Sequence, residues 1–258
     1  MNAAGDGIGL RAEGGFGSDI ADPGLARGGL ARIEWAGRAM PVLGLLREEC
    51  ASKEPFEGRS IAACLHVTAE TAVLVGVITA GGGRVHLAAS NPLSTQDDIA
   101  AALASQPGVF VHARTGVDRE TYYAHLHHAL DGAPDLIIDD GCDLVNTLHA
   151  ERAELLPGVV GGCESTSTGV MRLRRMAAEG TLAFPVVAAD ASVTRRMFDN
   201  GYGTSQSVID GLMRATNILL AGKTFVVGGF GWCGRGLAMR ARGMGANVIV
   251  TEVDPTRA

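Results

Sequence analysis

Long apolar runs are missing from this chain of 258 residues. Nowhere do apolar residues reach the roughly 18 consecutive positions needed to span a bilayer. The N-terminus lacks a basic stretch followed by an apolar one, so it does not read as a signal peptide. Dense Lys/Arg clusters are also missing, and the net charge is −6. Both features argue against nucleic acid and against an anionic membrane surface as partners. Aromatic residues make up only 5% of the chain. Cysteine is sparse and odd in number: Cys50, Cys64, Cys142, Cys163 and Cys233. No two of them form C-x-x-C, and none has metal-ligand spacing. Free thiols in a reducing cytoplasm, with no metal site, are the expectation. His125, His127 and His128 are read as an exposed polar helix face rather than as metal ligands.

What the chain does have is small residues, 36 of them glycine, and a hydrophobic content of 47%, enough for a sizeable core. Residues 1–25 are rich in Gly, Ala and Asp without apolar periodicity and read as a flexible leader. The stretch 26–49 carries a rough helical stripe through Ile33, Met40, Leu43 and Leu46. Strand and helix signals then alternate. Strands are expected at 60–65, 84–89, 109–113, 136–138 and 184–188. Helices are expected at 68–80, 94–104, 118–130, 169–178 and 205–220, that at 94–104 capped by Ser94 or Thr95. Such alternation predicts an α/β fold, a parallel sheet with helices on both faces.

A second sheet is expected to begin near residue 222. Lys223-Thr224-Phe225-Val226-Val227-Gly228 reads as a strand running into Gly229-Phe230-Gly231-Trp232-Cys233-Gly234, a G-x-G-x-x-G turn. A helix and a second apolar run, Val248 to Thr251, follow, ending in Glu252. In a dinucleotide-binding β-α-β unit Gly229 permits the tight turn and Gly231 lets backbone approach a pyrophosphate. Gly234 lets the helix pack on the strand. Glu252 stands where a carboxylate would hydrogen-bond a ribose 2′-OH, which favours NAD over NADP. The domains expected are a substrate domain at 26–200 and the opening of a Rossmann NAD-binding domain at 201–258.

Parallel sheets carry functional loops at the C-terminal ends of their strands. His66 and Thr68 follow the first expected strand, Asn91 to Asp98 the second, and Asp139-Asp140-Gly141-Cys142-Asp143 the fourth. Each alone has a plain structural reading, as a buried histidine, an N-cap or a turn. Their coincidence at strand ends points to one crevice.

These stretches resemble S-adenosyl-L-homocysteine hydrolase. The resemblance rests on Cys64 to Ala72 (CLHVTAETA), Asn91 to Asp98 (NPLSTQDD), Asp139 to Asp143 (DDGCD) and Thr166 to Val170 (TSTGV). Further matches are Phe198 to Gly203 (FDNGYG), Asp210 to Asn217, Gly229 to Gly236 and Thr251 to Pro255. It implies reversible hydrolysis of S-adenosylhomocysteine to adenosine and homocysteine with tightly held NAD. NAD oxidises the ribose 3′-OH, the resulting ketone acidifies the 4′ C–H, and homocysteine leaves the 5′ carbon. Water then adds, and the ketone is reduced again. It also implies roles for individual residues. His66 and Asp140 serve proton and water chemistry at the 5′ side. Thr68, Glu70 and Gln96 surround the adenosine, and Asp199 meets the ribose hydroxyls. Asn200 lies near the nicotinamide. Thr166, Ser167 and Thr168, with Gly229, Gly231, Gly234 and Glu252, hold NAD. A homo-oligomer, or a hetero-oligomer with a full-length homologue, is implied as well.

Two positions depart from the family's pattern. Ser165 stands for a substrate-side carboxylate, and Met197 for a lysine that assists proton removal from the 3′-OH. A thioether does neither job, and losing one general base costs about 10²–10⁴-fold in rate. The family also continues beyond the position of residue 258, so a divergent, C-terminally truncated member with very low turnover is the expectation. A catalytically degenerate nucleoside- or NAD-binding partner, and a repurposed nucleoside-processing enzyme, are the alternatives.

Overall fold

In a computed structural model, residues 10–11 and 17–258 are described. The strands are β1 (Leu10–Arg11), β2 (Gly17–Ser18), β3 (Ser60–Leu65), β4 (Arg84–Ala89) and β5 (Val109–His112). They continue as β6 (Leu136–Asp139), β7 (Gly161–Glu164), β8 (Val186–Ala188), β9 (Thr224–Gly228) and β10 (Asn247–Thr251). The α-helices are α1 (Ala26–Arg38), α2 (Pro41–Lys53), α3 (Ala69–Ala80), α4 (Asp97–Ala104) and α5 (Arg119–Leu130). After them come α6 (Asp143–Glu151), α7 (Ser167–Ala178), α8 (Ser205–Thr216) and α9 (Trp232–Gly243). A π-helix covers Arg195–Thr204. The chain divides into two compact units, Met1–Ala188 and Ala189–Ala258.

The first unit is built on a six-stranded sheet of order β5-β4-β3-β6-β7-β8, in which every neighbouring pair is parallel. Side chains alternate across it. Ile61, Ala63 and Leu65 of β3 enter one core with α3 and α4, while Ala62 and Cys64 enter another with α5, α6 and α7. All six residues of β3 are buried, as befits a central strand covered on both faces. The α/β expectation with helices on both faces therefore holds for this unit.

Local chemistry explains the differences from the sequence reading. The single helix expected at 26–49 is two, because Pro41 has no N–H to continue α1 and instead starts α2. The helix expected from 94 begins at Asp97 with Gln96 as a cap that makes no side-chain bond. Neither Ser94 nor Thr95 caps it: the Ser94 hydroxyl is turned to His66. Residues 1–9 and 12–16 of the expected leader lie outside the described residues. Packed structure is already present at 17–25. The Asp19 N–H donates to Val111 O at 2.8 Å, and Ile20 is buried. Asp19 also bonds His125 Nε2 at 2.9 Å and meets Arg114 Nε at 3.1 Å. His125 is thus buried, not on the exposed face expected of it; the carboxylate of Asp19 supplies the partner that allows it.

The second unit pairs β9 with β10 in parallel, and α9 crosses between them. Gly236 allows α9 to lie against the π-helix, since a Cβ there would meet the Gly201 carbonyl and Ser205 Oγ. Arg240 closes the same contact, donating to Gly201 O at 3.2 Å and lying over the Tyr202 ring.

Candidate active site

The winding of the larger sheet reverses at its middle. From β3 the chain goes outward through β4 and β5, then returns to the other side of β3 with β6 and continues through β7 and β8. The C-terminal ends of β3 and β6 therefore flank a crevice of the kind that binds ligands in open α/β sheets. His66 directly follows β3, and Asp140 directly follows β6. His66 Nε2 lies 3.3 Å from Asp140 Oδ2, with the imidazole half exposed and the carboxylate nearly buried.

The loop after β4 completes the group. Ser94 Oγ is 2.8 Å and Asn91 Nδ2 3.2 Å from His66 Nδ1. Ser90 Oγ donates to Asp140 Oδ2 at 3.5 Å. Thr68 is the N-cap of α3, yet its hydroxyl makes no capping bond. Glu70 is exposed on the first turn of α3. Gln96 has its Oε1 taken by Arg32 Nη2 at 2.6 Å, and Arg32 is itself held by both oxygens of Asp98 at 2.8 Å. The Gln96 amide thus presents its NH₂ end, a pure donor, to whatever it meets.

Two fully buried carboxylates that the sequence reading left without a role hold the turn bearing Asp140. Asp139 and Glu164 are register partners on β6 and β7. Asp139 accepts the N–H groups of Asp140 (2.9 Å) and Val145 (2.8 Å). Glu164 Oε1 accepts those of Gly141 (2.9 Å) and Thr166 (2.8 Å), and the Thr166 hydroxyl at 2.8 Å. Burial, with the nearby Glu164 and Asp143 charges, pushes the Asp139 carboxyl up to about 7 against those N–H bonds. Arg172 adds a clamp, donating to Gly141 O and Asp143 Oδ1, each at 2.7 Å. Cys142, with φ of 67°, occupies the left-handed corner of the turn. Burial pushes its thiol up to about 12 and that of Cys64 well above the ordinary range, so neither is a ready nucleophile.

Thr166 caps α7: its hydroxyl accepts from the Gly169 N–H at 3.0 Å while donating to Glu164. Ser167 and Thr168 open that helix. Ser165 follows Glu164, and its N–H donates to Asp139 O at 3.0 Å. His66, Thr68, Glu70, Gln96, Asp140 and Thr166 to Thr168 thus belong to the first unit. Asp199, Asn200, Gly229, Gly231, Gly234 and Glu252 belong to the second.

Within the second unit, Asp199 and Asn200 lie on the π-helix. Arg195 Nε is 3.9 Å from Asp199 Oδ2, so the cation facing Asp199 comes from position 195, one turn away, while Met197 is about half exposed. The glycine-rich turn has the geometry its motif demands. Gly229 has φ of +90°, and a Cβ on Gly234 would collide with the Gly229 carbonyl. Gly231 caps α9 and has open space around it. Glu252 Oε2 accepts the Phe230 N–H at 2.6 Å, and Oε1 those of Val253 (2.8 Å) and Asp254 (3.0 Å). The N–H groups of Asp254 and then Phe230 hold this carboxyl below its ordinary range. A fixed carboxylate beside a free helix N-terminus fits a dinucleotide, one end for a ribose hydroxyl and the other for phosphates. Among the described residues, no group of three acidic, histidine or cysteine side chains is placed to hold a metal, and no helix is long and apolar enough to cross a membrane.

A switch-point crevice with a His–carboxylate pair, and a separate glycine-rich β-α-β unit, define a nucleotide-handling α/β protein. The sequence model of S-adenosyl-L-homocysteine hydrolase matches residues 18–156 and 151–228, and that of its NAD-binding domain matches 200–258. The chain belongs to this family. It is 57% identical over 240 residues to the adenosylhomocysteinase of Aquifex aeolicus, covering 93% of this chain and 57% of that protein. It is 54% identical to the adenosylhomocysteinase of Thermococcus kodakarensis, covering 93% and 56%. It is 51% identical to the S-inosyl-L-homocysteine hydrolase of Methanocaldococcus jannaschii, covering 93% and 58%. The chain thus spans little more than half the length of these relatives.

Proposed function

We propose that the protein hydrolyses a nucleosyl-homocysteine thioether, S-adenosyl-L-homocysteine in the first instance, to the nucleoside and homocysteine, with NAD as a resident cofactor. The observation that carries this reading is the 3.3 Å pair of His66 and Asp140 at the switch point of the larger sheet. When bound, NAD supplies reversible oxidation of the ribose 3′-hydroxyl, which makes departure of a 5′ thiolate an elimination rather than a direct displacement. The chain's own groups do the rest. His66 and Asp140 hold and pass a proton at the 5′ side, where a thiolate leaves and a water adds. Thr68, Glu70 and Gln96 meet the nucleoside. Asp199 takes the ribose hydroxyls and Asn200 stands near the nicotinamide. Thr166, Ser167, Thr168, Gly229, Gly231, Gly234 and Glu252 hold NAD, Thr166 also capping the helix that Ser167 and Thr168 open.

The three relatives' names divide over the nucleoside, adenosyl or inosyl, and so over the base, adenine or hypoxanthine. Gln96, offering donors, suits a ring nitrogen that accepts, as adenine N1 does. Titration with the adenosyl and inosyl thioethers in the presence of NAD tests both points. Tighter binding of the adenosyl compound, weakened at least about 10-fold by His66→Ala or Asp140→Ala, is expected. Equal affinity of wild type and both variants would remove the crevice from the account.

A second reading, binding without turnover, is favoured by Met197 and by the guanidinium of Arg195, a poor general base, beside Asp199. A thiol reagent separates the two: bound thioether with no homocysteine release supports this second reading. Self-association fits the exposed apolar side chains of α1 and α2, where Trp35 is 74%, Val42 67% and Leu45 68% exposed. A sedimentation measurement reading only monomer would contradict it. Five free cysteines fit a reducing compartment such as the cytoplasm.

A further inference from the structure

The amide of Asn91 has a fixed orientation. Its Oδ1 accepts the Leu93 N–H at 2.9 Å, the local turn that Asn favours after a strand. The other end, Nδ2, therefore faces His66 Nδ1 at 3.2 Å. An amide NH₂ only donates, so Nδ1 must offer a lone pair and carry no hydrogen. The Ser94 hydroxyl, 2.8 Å from the same nitrogen, both donates and accepts and so imposes no choice of its own. On the other side of the ring, Nε2 faces a carboxylate oxygen of Asp140 at 3.3 Å, which only accepts when ionised. With the hydrogen on Nε2 both contacts are attractive. With the hydrogen on Nδ1 both are repulsive: N–H against NH₂, and a nitrogen lone pair against a carboxylate.

We propose that Asn91 is a positioning residue that selects the tautomer of His66 whose hydrogen sits on Nε2, so that this hydrogen is held between His66 and Asp140. The catalytic meaning of this rests on the function proposed above; the placement of the hydrogen does not. The loop after β4 chooses which nitrogen is the donor, and the loop after β6 receives it. The Nε2 side of the ring is thereby left with a donor directed at the Asp140 oxygen.

Long-range ¹H–¹⁵N correlation of the imidazole nitrogens in the full, uniformly labelled chain at pH 7.5 reads this directly, with His66 assigned by its loss in His66→Gln. The expected pattern is a bare Nδ1 and a protonated Nε2. Asn91→Asp keeps an acceptor for the Leu93 N–H but turns an acceptor towards the ring, and is expected to move hydrogen onto Nδ1. Ser94→Ala is expected to leave the wild-type pattern. A wild-type ring with its hydrogen on Nδ1, or an Asn91→Asp spectrum identical to wild type, overturns the proposal. The wild-type spectrum decides even where a variant fails to fold. No substrate is present, so an absence of thioether binding would count against the function while leaving the assignment of the hydrogen intact.

Discussion

The two parallel sheets differ in how much of themselves they cover. In the six-stranded sheet β3 and β4 are buried almost throughout, with helices on both faces. In the two-stranded sheet α9 covers one face only, and on the other Val226 is 61% and Ile249 52% exposed. The polar groups differ in the same way. The first sheet buries Asp139 and Glu164 completely and uses them to fix the turn that carries Asp140. The second leaves Glu252 half-buried, fixed by three backbone N–H groups. Buried carboxylates give a rigid crevice at the cost of desolvation; a half-buried one at the sheet's end keeps a side open to a ligand with less stake in folding.

Four changes test that contrast, in decreasing order of effect. Glu164→Leu leaves the half-buried Gly141 and Thr166 N–H groups without their acceptor, at up to about 3 kcal/mol each. A stability loss of both together, read by urea unfolding followed at the first unit's resonances, is expected. Leu87→Ala empties a fully buried site on β4 and should cost about 2–5 kcal/mol. A loss below 1 kcal/mol would mean the six-stranded sheet is looser than described.

Asp139 gives the third. Its carboxyl is raised in the folded state, so between the unfolded value of 3.8 and about 7 the native protein holds a proton that the unfolded chain has released. Its contribution is therefore fully present below that window and is lost as pH rises through it, by at most about 1.4 kcal/mol per pH unit. Asp139→Asn should flatten this slope while lowering stability overall, because one of two N–H groups loses its acceptor. The smallest effect belongs to Ile249→Ala on the bare face, expected within about 0.5 kcal/mol. Hydrogen exchange at β10 reads it, and a cost equal to that of Leu87→Ala would erase the difference between the two sheets.

Much of the first sheet was legible because its central strands are apolar runs bracketed by turn residues. Strands β3 and β4 run from 60 to 65 and from 84 to 89, as their patterns predict. Strand β7 was not legible. Its residues, Gly161-Gly162-Cys163-Glu164, have no strand propensity, and its glycines answer to neighbours: a Cβ on Gly162 would press on Ile137 O and one on Gly161 on Pro185 O. The π-helix was equally hidden, since its bonding pattern leaves no period that a helix search recognises. The site was half legible. His66 and Asp140 follow from strand ends, and the structure brings them together. The parts of Asn91 and Glu164 were missed because His66 and Gly141, which they meet, lie more than twenty residues away, and that of Asp139 because its burial comes from pairing with β7. An acidic residue closing an apolar strand was the available signal for Asp139.

The central claim is that ligand enters at the C-terminal ends of β3 and β6. Chemical-shift mapping with S-adenosyl-L-homocysteine tests it without requiring turnover. The account predicts saturable shifts at His66, Thr68, Gln96 and Asp140, with Ser60, Arg84 and Asp135 at the opposite ends of the strands unmoved. Shifts confined to those opposite ends, or none at millimolar ligand with NAD present, would contradict it.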